Sequence, residues 1–139
     1  MVGIGVVIRD DDGLPIATLC KHFHYVCNVA NVEALAARKA IQFALEVGLS
    51  EVEVEDDSLI ICEALKNREP CFASYGNIVD NTLVLTHGLQ CVSISQVKRE
   101  GNKAAHLLAR HAVSLSCDCL VWLEDILTFL ESVIYAKLI

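Results

Sequence analysis

The spacing of apolar and polar positions changes period several times along the chain, and each change marks an element. Residues 2–9 (VGIGVVIR) and 14–24 (LPIATLCKHFH) are apolar, β-branched runs on either side of the acidic stretch DDDG at 10–13. That pattern predicts a β-hairpin turned at Asp12-Gly13. From Val32 to Val47 the alanine-rich run VEALAARKAIQFALEV predicts a helix, with Gly48 as its stop. Residues 51–56 alternate glutamate with valine, as a strand with one buried face does. Helical patterns follow at about 58–67 and 76–87, with Pro70 between them. The run CVSISQV at 91–97 alternates again as a strand, KREGN at 98–102 breaks it, and a helix is expected from Lys103 to about Ser114. The last stretch, from Trp122 through Lys137, reads as an amphipathic helix.

The predicted order is therefore β-β-α-β-α-α-β-α with a helical tail, which implies an α/β fold with a mixed sheet flanked by helices. In such sheets ligands sit beyond the carboxyl ends of the parallel strands, and Asp57 stands at such an end. With 139 residues, 54% of them hydrophobic, the chain has enough apolar material for one domain, expected over 1–121 and followed by a tail at 122–139.

Charge and cysteine content narrow the function classes. A net charge of −7 means that attraction to nucleic acid must come from a local basic patch. Seven scattered cysteines with no C-x-x-C pair fit neither a disulfide framework nor a zinc ribbon, so an intracellular location, cytoplasm or nucleus, is expected. The N-terminus lacks the basic start of a signal peptide, and no apolar run approaches the ~18–20 residues that would span a bilayer. No membrane partner is expected. Neither a phosphate-binding G-x-x-x-x-G-K-S/T loop nor a G-x-S-x-G nucleophile elbow occurs.

Two carboxylates carry the chemical interest. Glu33 lines up with Ala37, Ala40, Ile41 and Ala44, the core-facing stripe of the first helix. A first-turn position favourable to the helix dipole accounts for it as well as a functional role does. Asp57, or Ser58 beside it, fits an N-cap of the following helix. One α-β step separates Glu33 from Asp57, so both can meet at one end of a sheet, where hard oxygen ligands suit Mg²⁺ and two-metal phosphoryl chemistry. Cys20, His22 and His24 alternate along one strand, but an exposed strand face explains them better than zinc or copper. Cys117 and Cys119 with His111 carry no stronger signal.

Four segments in this order and spacing, GIGVVIRDDDG at 3–13, VEALAA at 32–37, DSLII at 57–61 and VKREGNKAAHLLAR at 97–110, resemble the ribonuclease H-like domains common in plants and related to retroelement reverse-transcriptase polyproteins. The resemblance runs over nearly the whole chain. It implies metal-dependent hydrolysis of the RNA strand of an RNA–DNA hybrid, with Mg²⁺ or Mn²⁺ as cofactor and Glu33 and Asp57 as catalytic metal ligands. Asn102 matches the position that opens the last helix, and Lys98, Arg99 and Lys103 supply a candidate phosphate-binding patch. The chain departs from the family pattern twice. The family's first metal-binding aspartate lies on a strand upstream of the GIGVV segment, and that strand is missing, which removes both a ligand and the seam between the halves of the sheet. Where such enzymes carry a fourth acid in the last helix, this chain has His106, a further catalytic candidate whose imidazole can ligate a metal or shuttle a proton, although Mg²⁺ prefers oxygen. The alternative is a non-catalytic nucleic-acid-binding or protein-interaction module of the same fold.

Overall fold

The computed structural model describes residues 2–24, 28–67, 73–114, 117 and 119–123. The elements are β1 (Val2–Arg9), β2 (Pro15–Phe23), α1 (Val29–Val47), β3 (Glu51–Asp56), α2 (Leu59–Asn67), α3 (Gly76–Leu85), β4 (Cys91–Gln96), α4 (Lys103–Ala112) and β5 (Cys119–Leu123). Short 3-10 turns at Thr86–Gly88 and Arg99–Asn102 follow α3 and precede α4. The chain forms two compact units, one of residues 1–26 with 103–139 and one of residues 27–102.

In the first unit β1 and β2 form the expected antiparallel hairpin, and β5 adds to the far side of β2, giving the order β1-β2-β5. The turn is built by Asp10, whose Oδ1 accepts the N–H groups of Asp12 and Leu14, while Gly13 takes the left-handed φ of 83°. Helix α4 packs chiefly over β1. Gly3 and Gly5 permit this, because a Cβ at either position would run into α4 backbone, at the carbonyls of Ala109 and Ala105 respectively. The strand face carrying Cys20 and His22 is buried against this helix, at 0% and 5% exposure, which corrects the expectation of an exposed face. Cys20 Sγ donates to Leu108 O at 3.3 Å, and His22 Nδ1 lies 2.7 Å from Ala112 O, so these side chains tie β2 to the C-terminal half of α4. Burial pushes the Cys20 thiol up to about 12. That makes it an inert core residue.

In the second unit β3 and β4 pair in parallel and in register from Glu51–Cys91 to Asp56–Gln96. Ala34, Ala37, Ile61, Leu65 and Val79 form the core between the helices, with Ile94 of β4 against it. Helix α1 begins at Val29, three residues before the predicted start, because Asn28 caps it: its side chain accepts the Asn31 N–H at 2.8 Å. Gly48 ends it at a φ of 94°, with its N–H bonded to the carbonyls of Ala44 and Leu45.

Trp122 and Leu123 belong to β5 and do not open the predicted helix, and the remainder of that tail, 124–139, lies outside the described residues. Among the described residues no helix is long and apolar enough to cross a membrane.

Candidate active site

The site is built at the carboxyl end of β3, within the second unit. Glu33 is the fifth residue of α1, and no acid lies in that helix's first turn, so the first-turn dipole argument does not account for it. It is half-buried, on the stripe that buries Ala37, Ile41 and Ala44 one to three turns on.

At the strand end, three consecutive residues, Asp56, Asp57 and Ser58, lead into α2. Ser58, buried, caps α2: its carbonyl accepts the Cys62 N–H at 3.0 Å, and its Oγ lies 3.4 Å from the Ile61 nitrogen. Asp56 Oδ1 accepts the Ser58 N–H at 3.1 Å and so fixes the turn out of the strand. The cap of α2 thus falls to Ser58, while the Asp57 carboxylate takes part in a side-chain hydrogen bond with Asp56. Gln96 and Asn102 hold it loosely, their side-chain amides donating to Asp57 O and Asp57 Oδ1, each at 3.5 Å.

Burial raises the Asp56 carboxyl from 3.8 to about 6; the Ser58 N–H lowers it, while a side-chain hydrogen bond with Asp57 and repulsion from Asp57 and Glu33 raise it further. Asp56 thus feels both of the acids that the sequence singles out. Behind them Cys62 donates weakly to Asp56 O and Ser95 O, at 3.8 and 4.0 Å, and burial above all lifts its thiol to about 11. Asp56 is a residue that the apolar and polar pattern does not single out, although it fixes the turn from β3 into α2. The available signal was its place two residues before a helix start, where a carboxylate can accept a turn amide.

A hard-oxygen pair of this kind suits Mg²⁺, which is commonly held by one or two carboxylates together with water and substrate phosphate oxygens. Among the described residues no three His, Cys, Asp or Glu side chains are grouped to hold a metal ion.

The remaining sequence candidates fall as follows. Lys98 and Arg99 are exposed on the segment after β4, and Asn102 ends the 3-10 turn beside Asp57. Lys103 is the exposed first residue of α4, and His106 is half-buried one turn further along that helix; both belong to the first unit. The Cys/His candidates on β2 form no metal group, since Cys20 and His22 are committed to α4 carbonyls.

Two solved structures share this fold. The RNase H1 from the halophilic archaeon Halobacterium salinarum NRC-1 matches with a TM-score of 0.74 at 23% identity, covering 80% of this chain and 84% of that one. The N-terminal RNase H domain of rv2228c from Mycobacterium tuberculosis, solved as a fusion with maltose binding protein, matches with a TM-score of 0.72 at 20% identity, covering 79% and 80%. No curated protein sequence matches. The profile of the family described as "Reverse transcriptase-like" matches residues 2–112, four-fifths of the chain and all of the site, and the chain belongs to that family.

Proposed function

We propose that this chain is a nucleic-acid-binding ribonuclease H-type domain whose chemistry, where the carboxylate set is complete, is metal-dependent hydrolysis of the RNA strand of an RNA–DNA hybrid. The observation that supports this reading is the electrostatic influence of both Asp57 and Glu33 on Asp56 at the end of β3, where Ser58 caps α2. Glu33 and Asp57 hold the divalent ion, Mg²⁺ or Mn²⁺. When bound, that ion supplies charge neutralisation at the scissile phosphate and lowers the pKa of attacking water. Asn102 steadies the Asp57 carboxylate. Lys98, Arg99 and Lys103 meet backbone phosphates, which fix register on the duplex without reading its sequence.

The family match and the two structural likenesses support the fold and the class of this reading. His106 in the position of a fourth acid favours a second reading in which the fold binds nucleic acid without turnover. One pair of assays separates the two: binding of a fluorescent RNA–DNA hybrid in chelator, and cleavage of the same hybrid with Mg²⁺ or Mn²⁺ added. Binding with metal-dependent cleavage that Asp57→Asn abolishes supports the catalytic reading. Binding without cleavage supports the second, and failure to bind hybrid overturns both.

A further inference from the structure

Among the described residues of the second unit, four large aliphatic side chains stand exposed: Val29 at 73%, Leu59 at 52%, Ile60 at 55% and Val84 at 62%. Three of them flank the carboxylates of the candidate site. Val29 opens α1 and lies one turn before Glu33, on the same face of that helix. Leu59 and Ile60 open α2, two and three residues after Asp57. Both helix starts are pinned, since Asn28 Oδ1 accepts the Asn31 N–H at 2.8 Å and the Ser58 carbonyl accepts the Cys62 N–H at 3.0 Å. Ala34, next to Glu33, and Ile61, next to Ile60, are buried in one core cluster, so the two starts lie over the same packing. The exposed residues further along α2 are Glu63, Lys66 and Asn67, all polar, which confines aliphatic exposure on that helix to the turn beside Asp57. Aliphatic surface left in water contributes nothing to the fold and contributes only when a ligand covers it.

Resting on the hybrid-binding reading above, we propose that Val29, Leu59 and Ile60 form an apolar rim that selects deoxyribose in the strand opposite the one whose phosphate meets the carboxylates. A hybrid offers two sugar edges. The ribose edge carries a 2′-hydroxyl, donor and acceptor at once, which loses its hydrogen bonds to water when an aliphatic side chain covers it and offers none in return. The deoxyribose edge carries a methylene there, and covering that is favourable. None of the three side chains has a donor or acceptor, so of the two strands the rim accepts the DNA strand. Lys98 and Arg99, meeting phosphates common to both strands, cannot make this distinction.

The test uses the full chain in chelator and reads affinity by fluorescence anisotropy for three duplexes that share one RNA strand. Its partner strand is DNA in the first, RNA in the second and 2′-fluoro RNA in the third. The fluoro strand keeps the shape of an RNA duplex and lacks the hydroxyls, so it separates sugar chemistry from helix shape. The hybrid and the fluoro duplex are expected to bind alike, and the RNA duplex about fivefold more weakly, as one hydroxyl left without a partner requires. Combining Val29→Asn, Leu59→Gln and Ile60→Gln supplies amides that can pair with a hydroxyl, and is expected to bring the three duplexes within about twofold by improving the RNA duplex. A urea melt matching the parent shows that this variant is folded; where it does not match, the parent's three affinities decide alone. Equal affinity for hybrid and RNA duplex, a fluoro duplex that binds like the RNA duplex, or discrimination that the folded variant retains would overturn the proposal, while binding of the hybrid leaves the wider reading standing. Failure to bind the hybrid overturns both.

Discussion

Replacing Asp56 by asparagine isolates what it costs to keep charge at the end of β3. Burial, with a side-chain hydrogen bond to Asp57 and repulsion from Asp57 and Glu33 added, raises this carboxyl from 3.8 to about 6 despite the Ser58 N–H that favours its ionised form. A carboxyl whose folded pKa exceeds its unfolded one binds its proton more tightly in the native state. Its stabilising contribution is complete below about pH 4 and is lost as pH rises through 6. A rise of about two units corresponds to roughly 3 kcal/mol. Asparagine keeps the Oδ1 that accepts the Ser58 N–H and offers its amide to the Asp57 carboxylate, which Asp56 can do only when protonated. In chelator, urea melts at pH 8 should therefore find the Asp56→Asn protein more stable than its parent by about 2–3 kcal/mol, with the difference vanishing at pH 4. Divalent metal at the neighbouring carboxylates should narrow the gap at pH 8, because a bound cation offsets the repulsion. A gap that does not change with pH would refute the reasoning, since geometry alone would then explain it.

Three further outcomes follow from particular contacts. Gly5→Ala drives a methyl group against Ala105 O and to 2.7 Å from the Ala109 nitrogen, so thermal melts should show a loss of at least about 3 kcal/mol. Ser58→Ala removes the cap of α2 and should cost about 1 kcal/mol in urea melts, with hybrid binding in chelator unchanged. Lys98→Gln with Arg99→Gln should leave stability intact and lower the salt dependence of hybrid binding by about two ions, measured as the slope of log affinity against log salt. A slope unaltered by the double substitution removes those residues from the phosphate contacts.

Periodicity made the hairpin, β3, β4 and the middle of every described helix legible, because burial of one face leaves a regular trace in sequence. Helix ends were less so. The start of α1 depends on Asn28, a polar residue outside the apolar stripe, and α3 gives way to a 3-10 turn at Thr86, where the apolar pattern itself does not change. Strand β5 was hidden: the CLVWL run at 119–123 is too short to separate from the start of a helix without knowing that β2 offers it an edge. At the site, Glu33 and Asp57 were legible as types at matching ends of elements. The division of labour among Asp56, Asp57 and Ser58 was not, because each of the three can cap a helix and only geometry assigns the task.

In the first unit β1 lies at the edge of the order β1-β2-β5, although Ile4 and Val6 are buried and α4 is seated chiefly over this strand. In the second, β3 keeps one edge unpaired among the described residues although it carries the candidate site at its tip. Unpaired N–H and C=O groups along such edges are templates on which a further strand can add.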